Sequence, residues 1–297
     1  MNEKKTRKFP ISGDKLVLLG AIIAVFILFT ALNKNFLSFQ NIVNILVAAS
    51  LVGMVAIGHT YLIIAGQNDL SPGSLAAFSG TMAALLVSLG VPFFGAVLIT
   101  IAFAVLIGLF NAFMVNKIHL EAFIATLVTQ SIIRGAAYII CDGKPVAISN
   151  KAFLSLGKLR FLNVPLSVWI MLVCILIFGI ILSKTKFGRS VYAIGGIIFA
   201  ARMNSGQPAA NVNLEFDAIT AVILGGVSFV GGVGDMFGTF LGIILIQAFN
   251  TGLIMVEVPT FWHYVARGGL LLFALTSDYV RKQKREKDLL AASMKNL

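Results

Sequence analysis

Long apolar runs separated by short polar turns dominate this chain. A helix needs roughly 20 apolar residues to cross the hydrocarbon core of a bilayer, and eight runs approach or reach that length. These runs are Leu16–Leu32, Ile42–Ala65, Ser74–Leu89, Phe93–Val115, Ala122–Ile140, Leu166–Ser183, Phe237–Val256 and Phe261–Val280. The pattern predicts an all-α, polytopic integral membrane protein.

Two further apolar runs are too short to cross a bilayer alone. Val191–Ala201 would rise only about 16 Å as a helix, and Ala218–Val230 is interrupted by glycines at its end. Short, glycine-interrupted segments are typical of broken or re-entrant helices that line a polar path. Because they add either zero or two crossings, we expect about eight to ten transmembrane segments in all.

Composition supports a membrane protein, and charge predicts how it is oriented. Hydrophobic residues make up 58% of the 297 residues and charged residues 12%, whereas soluble domains carry about 25% charged residues. The net charge is +11, and basic residues cluster in both tails. Since such flanks stay on the cytoplasmic side, we expect a basic cytoplasmic tail (1–15), a transmembrane permease domain (16–280) and a second cytoplasmic tail (281–297). The excess positive charge then meets membrane lipid rather than nucleic acid.

Enzymatic motifs are missing from the sequence. It contains no phosphate-binding loop of the GxxxxGK[ST] type and no paired carboxylates or Ser/His/Asp arrangement. Cys141 and Cys174 lack metal-ligand spacing, and the histidines are widely spread. We therefore expect no catalytic residue, no metal and no cofactor, and a protein that is not an enzyme.

A polar string joins the second and third predicted spans. It contains Gln67, Asn68, Asp69 and Ser71, followed by Pro72. In one interpretation, Asp69 or Ser71 caps the third helix. In the other, the string is a broken-helix contact in a solute path. The string alone leaves both open.

Several other polar residues fall inside predicted spans. Arg134 must pair with Asp69 or another acid, or reach an interface, because a lone charge in lipid is costly. Asn111, Gln130, Gln247 and Asn250 favour hydrogen bonds between helices. Asp69 and Asp217 are the only carboxylates that this pattern places near membrane depth.

Five ordered strings together resemble a known family. GQNDLSPGS (66–74) is similar to the GGIDLSVGS signature of sugar-importing ABC permeases, and the span 124–140 places Arg134 and Gly135 as that family does. The strings TKFGRSVYAIGG (185–196), ARMNSGQPAA (201–210) and the stretch 214–242 follow. The chain thus resembles the ribose-type permease family over almost its whole length.

The resemblance implies a function and its partners. A permease of this kind is the membrane subunit of an importer for a ribose-like pentose or a hexose. It would pair with a second permease copy or paralogue. A cytoplasmic ATP-binding subunit would drive it, and an extracytoplasmic sugar-binding protein would deliver the sugar. The implied location is the cell membrane of a prokaryote, with both termini cytoplasmic.

One departure from the family pattern is large. The family continues after AIGG with a cytoplasmic coupling helix and a full span, whereas here Gly196 runs directly into Ile197. About 30 residues are absent, enough for one helix and one span. Residues 197–201 correspond to the tail of the lost span, and the parity that places 202–216 outside is lost with it. Asn68 and Pro72 are milder departures.

These observations leave three functions open. The first is the permease subunit of a monosaccharide importer. The second is a transport-inactive remnant without its coupling helix, and the third is an ion-coupled secondary transporter. The predicted substrate path is lined by polar residues from both halves of the chain: Gln67, Asn68, Asp69, Arg134, Asp217 and Asn250.

Overall fold

The fold is almost entirely helical in a computed structural model that describes residues 13–182 and 191–294. Four two-residue strands form two small antiparallel ribbons, β1 (Val146–Ala147) with β4 (Ser205–Gly206) and β2 (Arg160–Phe161) with β3 (Val164–Pro165). The helices are α1 (Gly13–Leu32), α2 (Phe39–Ile64), α3 (Pro72–Ser88), α4 (Phe93–Asn116), α5 (Ala122–Ile139), α6 (Lys151–Lys158), α7 (Leu166–Leu182), α8 (Val191–Met203), α9 (Leu214–Leu224), α10 (Met236–Met255) and α11 (Thr260–Met294).

Each of the eight predicted spans corresponds to a helix. Among the described residues, five helices are long and apolar enough to cross a membrane on their own, namely α1, α2, α4, α5 and α10. The shorter apolar helices α3 and α7 complete the central set. Helix α11 has 35 residues, so it continues beyond residue 280, where the sequence suggested that the permease domain ends. The string 185–190 and the tail ends 1–12 and 295–297 lie outside the described residues.

The bundle has two distinct ends. At one end, Lys15 Nζ of α1 lies 2.9 Å from Asp235 Oδ2, and Arg281 of α11 donates to the Ile223 carbonyl over 3.0 Å. We call this end the terminal face, because α1 begins there and α11 leaves the bundle there. At the opposite face, Asn33 Nδ2 donates to the Met255 carbonyl over 2.9 Å and ties the end of α1 to the end of α10.

The two half-length runs add two passes. Helix α8 runs toward the opposite face, where β4 pairs with β1 of the long 140–165 connection. The chain then turns back, and α9 descends to the terminal face, so the described helices make ten passes. Parity no longer places residues 202–216 once a span is missing, but the pairing of β4 with β1 does. Residues 205–206 lie on the same face as the 140–165 connection.

Small residues let the helices approach closely. A Cβ on Gly242 would collide with the Ala221 carbonyl, and one on Gly238 would collide with the Gly225 carbonyl. Two small residues four positions apart, such as Gly238 and Gly242, favour close contact of this kind. Helix α8 is seated on α3 in the same way, since a Cβ on Gly196 would collide with the Ala76 backbone.

Helix α2 is the centre of the bundle. It packs against α7, α8, α9 and α10, and most of its residues are buried. By contrast, α4 exposes most of its apolar side chains, as a helix that faces lipid must. Helix α3 contacts α5, α8 and α9, and the polar residues of α3, α5 and α9 meet inside the bundle.

Candidate functional site

Helices α3 and α9 both begin inside the bundle rather than at its ends. A Cβ on Gly73, in the first turn of α3, would collide with the Glu215 carboxylate and lie 2.6 Å from the Asn211 carbonyl oxygen. No residue larger than glycine fits this approach. We call the surrounding group of Ser74, Gln130, Arg134, Asn211 and Glu215 the polar junction.

Arg134 of α5 ties the junction together. Its Nε donates to Ser74 Oγ over 3.1 Å. Its Nη1 donates to the carbonyls of Pro208 and Ala210 over 2.9 and 2.6 Å. The guanidinium therefore holds the returning segment 207–213 against α3. Of the alternatives for Arg134, these hydrogen bonds do not include the predicted partner Asp69.

Glu215 is the membrane-depth carboxylate that the sequence pattern missed. It is only 2% exposed, and its Oε1 accepts from Gln130 Nε2 over 3.2 Å. The expectation that Asp69 and Asp217 are the only such carboxylates is therefore wrong. Glu215 precedes Asp217 by two residues in the first turn of α9, so the sequence position of Asp217 already indicated a second acid at the same depth.

Two buried polar atoms of the junction lack hydrogen-bond partners among the described residues. They are Glu215 Oε2 and Asn211 Nδ2. A buried polar group without a partner loses about 1–3 kcal/mol relative to a hydrogen-bonded one. The junction thus retains unused capacity to accept and donate hydrogen bonds.

Asp69 stabilises the start of α3. Its Oδ1 accepts from Ser71 N over 2.8 Å and from Ser71 Oγ over 2.6 Å, while the Leu70 amide donates to Thr126 Oγ1 over 3.2 Å. A carboxylate is favourable at this end of a helix, because the N-terminal amides carry partial positive charge. The capping interpretation of the 66–74 string is met only in part. Asp69 binds the turn just before α3, whereas Ser71 at the helix start makes no side-chain cap hydrogen bond.

Asp217 has a different partner, on the last helix. Its Oδ1 lies 3.5 Å from Arg267 Nε of α11. Asp217 is 7% exposed, while the Arg267 side chain is 32% exposed. Sequence reasoning missed Arg267, although an arginine within an apolar run is the same signal that drew attention to Arg134.

The remaining predicted path residues lie elsewhere. Gln67 is exposed at the terminal face, and the buried Asn68 Oδ1 has no hydrogen-bond partner among the described residues. Asn250 is buried on α10. The structure brings Arg134 close to the start of α9, whereas it places Gln67 and Asn250 on other elements. A single path through all six side chains stays a prediction.

Of the four amides expected to join helices, Asn111 and Gln130 do so. Among the described residues, Gln247 Nε2 and Asn250 Oδ1 are buried without a hydrogen-bond partner. Thr129 Oγ1 donates to Asn111 Oδ1 over 2.5 Å, and the Thr60 and Thr239 hydroxyls lie 2.8 Å apart. Gln130 reaches Glu215 across helices. In the described part of the chain, both cysteines are free thiols, and no group of His, Cys, Asp and Glu side chains has the arrangement of a metal site.

Comparison with known proteins identifies the family. The family model described as the branched-chain amino acid transport system / permease component matches residues 41–196 and 193–275. The chain belongs to this permease family. It is a multi-pass membrane protein, as the helices indicate.

The curated relatives of this permease match nearly end to end. The ribose import permease protein RbsC of Haemophilus influenzae is 32% identical over 94% of the chain and 98% of its own length. The L-arabinose transport system permease protein AraH of Escherichia coli is 34% identical over 92% of the chain and 93% of its own length. RbsC of Bacillus subtilis is 32% identical over 88% and 92%. No solved structure matches the chain.

The comparisons also bear on the missing segment. The two family matches meet at residues 193–196, the point at which the sequence departs from the family pattern. The alignment with the Haemophilus influenzae permease runs over 316 positions, more than the 297 residues of the whole chain. Relatives therefore carry residues that this permease lacks. Helix α8 consequently joins the AIGG string directly to residues 197–203.

Proposed function

We propose that this chain is the membrane-spanning subunit of an ABC importer for a monosaccharide, either a ribose-like pentose or a hexose. The observation that carries this proposal is the similarity to ribose and L-arabinose permeases over more than nine-tenths of the chain. In this proposal a cytoplasmic ATP-binding subunit supplies the energy and an external binding protein delivers the sugar. A second permease copy completes the membrane channel.

The orientation follows from charge. The terminal face carries the start of α1 with Lys15 and the exit of α11 with Arg281, and the basic tails continue from both. Because basic flanks are retained in the cytoplasm, we assign the terminal face to the cytoplasm. The ribbon of β1 and β4 then faces the binding protein.

The polar junction is where we place the inner contacts of the sugar. Buried amides, a carboxylate and a guanidinium are groups that form hydrogen bonds with polyols. The junction combines them where α3 and α9 begin inside the bundle, as in transporters with discontinuous helices. Asn68, Asp69 and Asp217 flank this point along α3 and α9. Gln67 and Asn250 would contact the sugar nearer the two membrane surfaces.

Uptake of radiolabelled ribose, arabinose and glucose tests the proposal. The gene would be expressed in cells that lack their own permeases but contain the matching ATP-binding and binding proteins. We expect uptake of one of these sugars that stops when the ATP-binding subunit is deleted. Asn68→Ala and Arg134→Ala should each lower that uptake at unchanged membrane insertion. Uptake that persists without the ATP-binding subunit but collapses with the ion gradient would instead show a secondary transporter.

A second candidate function rests on the shortened region. Only eight residues lie between Leu182 of α7 and Val191 of α8, whereas the family pattern has a coupling helix and a span near this point. Such a chain could fold and pair with an intact permease without transporting. Insertion of about 30 family-type residues after Gly196 would then be needed for ATP-dependent uptake. ATP-dependent uptake by the unaltered chain would exclude this candidate.

A further inference from the structure

A glycine-rich loop between α9 and α10 lies on the terminal face. We call residues 225–235 the glycine loop. Four of its glycines have positive φ, namely Gly226, Gly231, Gly232 and Gly234 at 94°, 95°, 80° and 155°. Residues other than glycine rarely adopt these φ angles, so the backbone conformation of the loop depends on glycine at these four positions.

The glycine loop is fixed to three helices. Asp278 of α11 accepts from the Phe229 amide over 2.9 Å and from Ser228 Oγ over 3.4 Å. The Gly232 amide donates to the Ile64 carbonyl of α2 over 2.8 Å, and Asp235 pairs with Lys15 of α1. The loop is therefore held in one shape before it meets any partner.

Three apolar side chains nevertheless project from this fixed loop. Phe229, Val230 and Val233 are 36%, 61% and 41% exposed. We call these three residues the loop apex. A preorganised apolar surface loses little conformational entropy on binding, which is the property of a docking element.

The position of the loop apex argues against contact with lipid. The loop crosses the end of α2, since Gly231 packs against Gly66 and Gly232 binds Ile64. Helix α2 is the central helix of the bundle, so its end lies in the middle of the terminal face and away from the lipid boundary. The loop apex therefore projects from the centre of this face toward the aqueous phase.

We propose that the loop apex docks the cytoplasmic ATP-binding subunit, at a surface separate from the region shortened after Gly196. This inference rests on the proposed function. The partner surface should be an apolar pocket with acidic side chains at its rim, because Arg281 lies beside the loop at Gly226 and Lys282 follows it. The contact would bind the subunit to α2, α9 and α11 together.

Binding of the purified ATP-binding subunit of the same importer tests the inference. The full chain would be placed in lipid nanodiscs, which leave both faces accessible. We expect Val230→Asp to weaken binding about tenfold, since it puts a charge into an apolar contact, and Val230→Ser to weaken it less. Leu159→Asp, at an exposed residue beside β2 on the opposite face, is the matched control and should bind as the unaltered chain does.

Fluorescence shows what covers the loop apex. In a background of Trp169→Phe and Trp262→Phe, Val230→Trp supplies a single reporter, with Leu159→Trp as its control. We expect acrylamide quenching of the reporter at 230 to fall at least about twofold when the subunit is added, and no change at 159. Strong quenching by brominated lipid would overturn the inference, because the loop apex would then lie in the bilayer.

The outcomes separate this inference from the proposed function. If the subunit binds the unaltered chain and Val230→Asp equally well, the docking surface is wrong and the importer function stands. If the subunit does not bind the unaltered chain at all, both are wrong. An unchanged thermal midpoint for Val230→Asp shows that any loss of binding is not a loss of folding.

Discussion

Helices α3 and α9 begin side by side inside the bundle, yet their first turns are stabilised differently. At α3, Asp69 accepts two hydrogen bonds from Ser71, and Pro72 occupies the first turn, where a missing amide donor costs nothing. At α9, Asn213 precedes the helix with φ of 66°, and like Ser71 at α3 it forms no side-chain cap. Glu215 in its first turn keeps one carboxylate oxygen without a hydrogen-bond partner.

This difference assigns different roles to helices α3 and α9. At the start of α3, Asp69 binds Ser71 and Ser74 accepts from Arg134, so this turn acts as a fixed support for its neighbours. The start of α9 depends on groups from other helices, Gln130 and Arg267, and still has unused hydrogen-bonding capacity. Polar chemistry toward a solute should therefore depend more on α9 than on α3.

The largest effect on stability is expected where α3 and α9 touch. Gly73→Ala places a methyl group against the Glu215 carboxylate and the Asn211 backbone, and overpacking of this kind costs about 3 kcal/mol. The measurement is the thermal midpoint of the purified protein in detergent. Gly20→Ala is the control, because a Cβ there meets nothing within 4 Å. Equal midpoints for the two variants would contradict the close approach of α3 and α9.

A smaller loss of stability is expected when Arg134 no longer holds segment 207–213 against α3. We call these hydrogen bonds of Arg134 the clasp. Arg134→Ala leaves Ser74 and two carbonyls without their donor and should lower the free energy of unfolding by about 2 kcal/mol. It should also free the segment, which is measured as faster thiol labelling of Ala209→Cys in a Cys141→Ser, Cys174→Ser background. Arg160→Ala, at an exposed arginine in β2, should change neither quantity. Unchanged labelling in Arg134→Ala would refute the clasp.

The sequence predicted the helices better than it predicted their polar contacts. Apolar run length is a local property, and it located each of the eight spans. The partners of Arg134 are backbone carbonyls of residues 208 and 210, about 75 positions further along the chain. Carbonyl acceptors have no signature in the sequence, so the sequence offered only Asp69, another acid or an interface. Of these, another acid is the alternative met, because Glu215 lies close enough to interact with Arg134 electrostatically.

Helix α8 shows a second limit of sequence reasoning. Motif order revealed that residues are missing after Gly196, and the parity that would place the following segment was lost with them. The structure retains the sidedness because Gly196 and Ala200 pack on Gly80 of α3 and β4 pairs with β1. The close packing of small residues of α8 on α3 fixes where the segment lies. A count of membrane crossings does not take such packing into account.

A moderate effect is expected at the start of α3. Asp69→Ala removes the acceptor for the Ser71 amide and hydroxyl, and the loss of such a helix-start acceptor costs about 1 kcal/mol. Chemical denaturation of the purified protein measures it. Glu121→Ala serves as the control for removal of a carboxylate, because Glu121 is exposed and makes no side-chain hydrogen bond to the start of α5. A cost no larger than that of the control would show that the support at α3 does not come from Asp69.

The smallest change in stability is expected at Glu215. This variant distinguishes the roles of α3 and α9 most clearly. Glu215→Gln keeps one oxygen to accept from Gln130 and replaces the other, which has no partner, with an amide donor. The bond from Gln130 is kept and the charge attraction between Glu215 and Arg134 is lost, so the free energy of unfolding should change by less than about 1 kcal/mol. Sugar uptake by the importer should nonetheless fall, since a donor replaces an acceptor where we place the solute. If uptake is unchanged while Asp69→Ala abolishes it, the solute contacts lie at α3, and the assignment of polar chemistry to α9 is reversed.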